Sequence, residues 1–153
     1  HTASYRGSFS KVLSESLRAA GLGSNVLIAQ FLKGGVEQGP NKGTILCDKL
    51  HWIRPNLSCC LTKRKKEFDK NQQSEIQKSI EAIWETCKEQ LFTKSINRLV
   101  LDEICLATEL GYIKESDLIS TLEGRPATTD VILTGPSISS KIIEMADQVT
   151  ELR

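Results

Sequence analysis

At 153 residues the chain is long enough for one domain with a proper core and too short for two comfortable ones. Hydrophobic residues make up 39%, which excludes a disordered chain, and 20 Lys plus Arg against 19 Asp plus Glu leave a formal net charge of +1, which argues against a protein built to grip nucleic acid. No apolar run approaches the ~20 residues needed to cross a bilayer. The start also lacks the charged-then-apolar pattern of a signal peptide, so a cytoplasmic protein with no membrane partner is expected.

In chain order, Ser10 to Ala20 is the first predicted helix, with Leu13, Leu17 and Ala20 on one face and Gly21 as its stop. Val26 to Phe31 reads as a strand followed by Lys33-Gly34-Gly35. Residues 34–71 form an irregular insertion with one short strand near Leu46 or Trp52. Its basic cluster Lys63-Arg64-Lys65-Lys66 reads as a solvated helix start. An irregular segment beside strand ends is where ligand-binding loops sit. Ser74 to Leu91 is the clearest helix, with Ile76, Ile80, Ile83, Cys87 and Leu91 at spacings of three and four.

Leu99 to Leu101 is a second strand, ending in Asp102-Glu103, and a helix is expected over Asp117 to Glu123. A third strand, Val131 to Leu133, runs into Thr134-Gly135-Pro136. Ser139 to Gln148 predicts a helix burying Ile142, Ile143 and Ala146, and Val149 to Leu152 closes the sheet at an edge. The apolar runs are continuous rather than alternating, as in a parallel sheet covered on both faces. Their alternation with helices gives an α/β fold with a doubly wound, mostly parallel sheet.

The five cysteines, at 47, 59, 60, 87 and 105, include no C-x-x-C pair. Cys59 and Cys60 are adjacent and would bridge only with strain, so free thiols are expected. His1 and His51 add no zinc spacing to that pair.

Ligands of open parallel sheets bind at the carboxyl ends of the strands, where Asp102 and Glu103 fall. Buried carboxylates there are hard ligands for magnesium. The alternative is a strand-end carboxylate capping a helix that begins at Ile104. A nucleotide site also needs a glycine-rich loop feeding a helix amino terminus. The one candidate is Thr2 to Ser10, a poor match to G-x-x-x-x-G-K-[ST], with Gly7 present and Ser8 where lysine belongs.

Several blocks carry a more specific resemblance: Leu17-Arg18-Ala19-Ala20-Gly21-Leu22-Gly23, Val26 to Gly35 (VLIAQFLKGG), Leu99 to Glu103, Glu109-Leu110-Gly111-Tyr112, Glu123-Gly124-Arg125-Pro126, Ile132-Leu133-Thr134-Gly135 and Ala146 to Arg153. In this order and spacing the chain resembles the phosphate-loop ATP:corrinoid adenosyltransferases, also called cob(I)yrinic acid a,c-diamide adenosyltransferases, as a divergent branch. The resemblance implies a three-layer fold of the P-loop NTPase-like (RecA-like) type, with 1–153 a single nucleotide-binding domain. It implies transfer of the 5′-deoxyadenosyl group of ATP to the reduced cobalt of a corrinoid, with magnesium (Mg2+) on the nucleotide and a homodimer as the assembly.

Carried over residue by residue, the resemblance gives Asp102 and Glu103 the catalytic role. ATP contacts fall to Thr2, Ser4, Arg6, Gly7, Ser8, Ser10, Gln30, Lys33, Thr134 and Gly135, and magnesium to Ser10, Asp102 and Glu103. Within the loop, Ala3 and Tyr5 replace glycines, Ser8 the phosphate-gripping lysine and Phe9 a magnesium-binding threonine, while Arg6 and Ser10 keep a charge and a hydroxyl. Where the family presses a Phe-Thr-Trp stretch on the corrinoid, Leu50 to Pro55 offers only Trp52. His1 reads as the last residue of the first strand, with the rest of that strand expected upstream. The substitutions at Ser8 and Phe9 keep a second reading open, a non-catalytic descendant that binds nucleotide or corrinoid.

Overall fold

The computed structural model describes residues 1–3, 10–35, 44–46 and 48–152. A central sheet forms from β2 (Val26–Gln30), β3 (Thr44–Leu46), β4 (Leu50–Ile53), β5 (Arg98–Asp102) and β6 (Asp130–Leu133), in the order β3-β4-β2-β5-β6. The four strands β4, β2, β5 and β6 are mutually parallel, and only edge strand β3 runs antiparallel. Two short parallel strands, β1 (Thr2–Ala3) and β7 (Glu151–Leu152), pair with each other. Thr2 bridges to Gly135 just past β6, so the pair continues the sheet on that side.

Strand parity explains why β2 reads as an unbroken apolar run. Leu27 and Ala29 face one cluster, with Leu99, Leu101 and the buried face of α2 (Lys70–Phe92). Val26 and Ile28 face another, with Val100, Leu50, Trp52 and residues Val12 and Ala20 of α1 (Ser10–Gly21). Both faces are dry, so neither tolerates a polar alternate. The larger cluster also takes in α3 (Ile104–Glu109), α4 (Glu115–Glu123) and Ile142 of α5 (Ser140–Met145). The result is the expected three-layer α/β arrangement of P-loop-like type.

Several expectations are corrected. The insertion over 34–71 is not wholly irregular: it holds β3 and β4, a 3-10 turn at Lys65–Glu67 and the start of α2. Strand β4 sits inside the sheet rather than in a ligand loop, and Trp52 on it is buried. The inward stripe of α1 is Val12, Ser16 and Ala20, with Leu17 41% exposed. Small residues there let the helix settle close to the sheet, and Ser16 satisfies its hydroxyl by donating to the Val12 carbonyl at 2.8 Å. Helix α5 is only six residues long and buries Ile142 alone, leaving Ile143 43% exposed. Helix α3 adds an element after β5 that only the capping alternative anticipated. None of the helices among the described residues is long and apolar enough to cross a membrane.

Candidate functional site

The parallel register places one residue from each of four strands in a row at the carboxyl edge. Gln30 is opposite Asp102. One step past the last paired residues, Arg54 follows Ile53 beside Gln30, and Thr134 follows Leu133 beside Asp102. The side chains of this row bond to one another. The Gln30 amide nitrogen donates to Asp102 Oδ2 at 2.6 Å, and Thr134 Oγ1 donates to Asp102 Oδ1 at 2.6 Å. Gln30 Oε1 accepts from Trp52 Nε1 at 2.9 Å and from Arg54 Nε at 2.6 Å, which fixes the orientation of the amide. The Arg54 guanidinium lies 5.7 Å from the centre of the Trp52 ring, within cation–π range. Burial pushes the Arg54 pKa below its ordinary value, opposed by the charges of Asp102 and Cys60.

Lys33, three residues past β2, completes the cluster with Nζ 2.6 Å from Asp102 Oδ2, both groups buried. Its backbone is held from the other side, through an antiparallel bridge with Cys60 and a 2.9 Å bond from the Leu61 amide to the Leu32 carbonyl. Gly34 and Gly35 make this approach feasible. A Cβ on Gly34 would come within 2.6 Å of the Cys59 carbonyl oxygen, and one on Gly35 within 2.0 Å of the Ser58 oxygen. No larger residue fits without moving backbone.

Glu103 turns the chain from β5 into α3. It is fully buried, adopts a left-handed conformation at φ 59° and makes no side-chain cap bond, so the capping alternative does not hold. Its amide donates to Thr134 Oγ1 at 3.2 Å, so one hydroxyl ties both members of the acidic pair. Backbone strain of this kind in a non-glycine residue concentrates at functional sites. Gly135 backs on to Glu103, and Thr2 bridges to Gly135.

Of the residues singled out from sequence, the fold therefore brings together Gln30, Lys33, Asp102, Glu103, Thr134, Gly135 and Thr2. Ser10 opens α1 with an exposed side chain. Ser4, Arg6, Gly7 and Ser8 lie outside the described residues, as does Cys47. Sequence reading missed Arg54 and weighed Trp52 only near a short strand and against the corrinoid; their two-residue spacing, from β4 to the residue after it, is the signal that they share a face. Among the described residues no group of three or more His, Cys, Asp or Glu converges as a metal site.

Residues 2–153 match the family described as ATP:corrinoid adenosyltransferase BtuR/CobO/CobP. The chain belongs to this family. It is similar to the corrinoid adenosyltransferase of Pseudomonas aeruginosa, 27% identical over 99% of this chain and 72% of that protein. It is also similar to corrinoid adenosyltransferase CobA of Salmonella typhimurium, 28% identical over 99% of this chain and 74% of the relative. The corrinoid adenosyltransferase of Escherichia coli is 26% identical, again over 99% of this chain and 74% of its own length.

Proposed function

We propose that this chain transfers the 5′-deoxyadenosyl group of ATP to the reduced cobalt of a corrinoid, as a step in cobalamin biosynthesis. The observation that carries the reading is the Arg54–Gln30–Asp102–Thr134 row, buried but for Arg54, with Lys33 locked on it at the carboxyl edge, where open parallel sheets bind ligands. In this transfer cobalt(I) attacks the ribose 5′ carbon, a cobalt–carbon bond forms, the carbon–oxygen bond breaks and tripolyphosphate leaves with its electrons. The protein's task is to hold the reactants in line and to balance charge, with little proton transfer. An ammonium has three donors, and Lys33 directs one at Asp102. The others support a role toward the leaving polyphosphate, in the place of the lysine that Ser8 replaces.

The donors fit magnesium at one oxygen. Oδ2 of Asp102 already faces Gln30 and Lys33, and an ammonium at 2.6 Å opposes a second cation there. Among the described residues Oδ1 accepts from Thr134 alone, which leaves a lone-pair direction. Asp102 through Oδ1, with the Ser10 hydroxyl and Glu103, would hold the ion, directly or through its waters. Bound with the nucleotide, magnesium would offset the triphosphate charge. Thr2, bridged to Gly135, is proposed to contact phosphate together with Ser4, Arg6 and Gly7.

The test is ATP-dependent conversion of a chemically reduced corrinoid to a light-sensitive adenosyl-corrinoid, followed by absorbance. Conversion is expected, with a large loss in Asp102→Asn. No product under conditions where the Salmonella relative turns over would overturn the reading. The second reading, a non-catalytic descendant, rests on Ser8 and Phe9. Calorimetric titration separates the two. Magnesium-dependent ATP binding is expected, and Ser8→Lys should tighten it about tenfold, the worth of one charge-assisted phosphate contact. Retained corrinoid binding with no ATP binding would favour the descendant instead.

A further inference from the structure

Cys59 and Cys60 are both exposed and adjacent, in the segment that clamps the residues after β2. The peptide unit joining them is placed where its movement cannot stay local. Its carbonyl oxygen, that of Cys59, packs against Gly34 closely enough that a Cβ there would meet it at 2.6 Å. Its nitrogen belongs to Cys60, which bridges to Lys33, and Lys33 holds Asp102 at 2.6 Å. Cys60 also lies near enough to Arg54 for its charge to act on that guanidinium.

We propose that Cys59 and Cys60 form a redox-modifiable dithiol whose closure into a disulfide releases Lys33 from Asp102. Adjacent Cα atoms are about 3.8 Å apart across a trans peptide, against about 4.4–6.8 Å in ordinary disulfides. That distance is fixed, so the ring is strained, and bringing the two Cβ atoms to one side turns the intervening peptide unit, which is the one wedged against Gly34 and tied to Lys33. A strained disulfide is also easily reduced, so the change is reversible and follows the thiol–disulfide poise of the surroundings. The oxidant is a small disulfide such as glutathione disulfide. One cysteine thiolate attacks it, forming a mixed disulfide and expelling a glutathione thiolate. The neighbouring thiolate then attacks the protein sulfur and expels the second. Two electrons pass from the cysteine pair to glutathione, and the two cysteine protons end on the two glutathione thiols. The device needs only the clamp geometry, whatever ligand the site takes.

The experiment equilibrates the protein with glutathione redox buffers and blocks free thiols, then divides each sample, one half going directly to trypsin and the other first having its exposed amines acetylated in one pulse. Trypsin cuts after Lys49 and Lys63 and not at Arg54-Pro55, so residues 50–63 form one peptide whose only cysteines are Cys59 and Cys60. Under oxidising buffer this peptide should carry no blocking group and weigh two hydrogen atoms less than the unblocked dithiol peptide, whereas under reducing buffer it should carry two blocking groups. Lys33 acetylation should rise about tenfold, as for a buried amine freed by a local opening, and fall back on reduction. Cys59→Ser and Cys60→Ser should each abolish both changes. Mixed glutathione adducts alone, a disulfide from either residue to Cys47, a closed ring with Lys33 still protected, or Lys33 exposure persisting in the serine variants would overturn the proposal.

Discussion

Asp102 accepts three bonds from inside the protein, two of them from uncharged groups and one from a buried ammonium. Removing its charge strands the Lys33 ammonium in a site with little water. Asp102→Asn should therefore lower unfolding free energy by about 3 kcal/mol, since breaking a buried pair leaves an unpaired charge. Lys33→Met in the same protein should recover much of that loss, and urea unfolding of the two single variants and the double variant measures the coupling. A glycine comparison tests the clamp. Gly34→Ala meets backbone at 2.6 Å and should destabilise by at least about 2 kcal/mol. Gly21→Ala, at the end of α1 with open space around it, should stabilise by about 0.5 kcal/mol. At this scale the sequence was informative where a side chain follows directly on an apolar run, as Asp102, Gln30 and Thr134 do. It was silent on Arg54 and on the bond from Trp52 to Gln30, because both depend on a neighbouring strand 24 and 22 residues away.

Elements were legible in proportion to how completely they are buried. Strands β2 and β5 lie in the sheet interior with helices on both faces, and their continuous apolar runs reported it. Strand β4 is only four residues long and alternates, with Leu50 and Trp52 buried against the α1 side while His51 is exposed. That pattern matched neither expectation for a parallel strand. Helix α2 begins four residues before its expected start at Ser74 because Asp69 accepts from the Gln72 amide at 2.9 Å, a capping bond that supports a polar first turn. Across the layer, α2 and α4 are joined by Trp84 Nε1 donating to Asp117 Oδ2 at 2.6 Å. Asp117→Ala orphans a buried indole N–H and should cost about 1–3 kcal/mol. Thermal unfolding measures it, and a change within error would mean the indole had found another acceptor.

At the scale of the whole molecule, the larger of the two apolar clusters encloses thiols, Cys87 and Cys105, that differ sharply from the surface pair. Burial raises the pKa of Cys87 well above its ordinary value and pushes Cys105 up to about 11. A thiol whose folded pKa is raised stabilises the fold fully below its unfolded value, about 8.5, and loses that contribution as pH climbs through the folded value. Stability should accordingly decline from about pH 9 to pH 11, and Cys105→Ala should flatten that slope even if it lowers the plateau. Peptide-mapped thiol labelling in the native state should reach Cys59 and Cys60 well before Cys87 and Cys105, which should react only on unfolding.

The row at the strand ends joins Arg54 to Gln30, Gln30 to Asp102 and Asp102 to Thr134 across 24, 72 and 32 residues of chain. None of these bonds can form by local collapse; each waits for a different strand to dock, and such distant pairings come late in folding. The site is thus a record of a finished sheet. A nucleotide gripping it would recognise only chains that had completed assembly, slowing their unfolding while leaving the rate of folding nearly untouched.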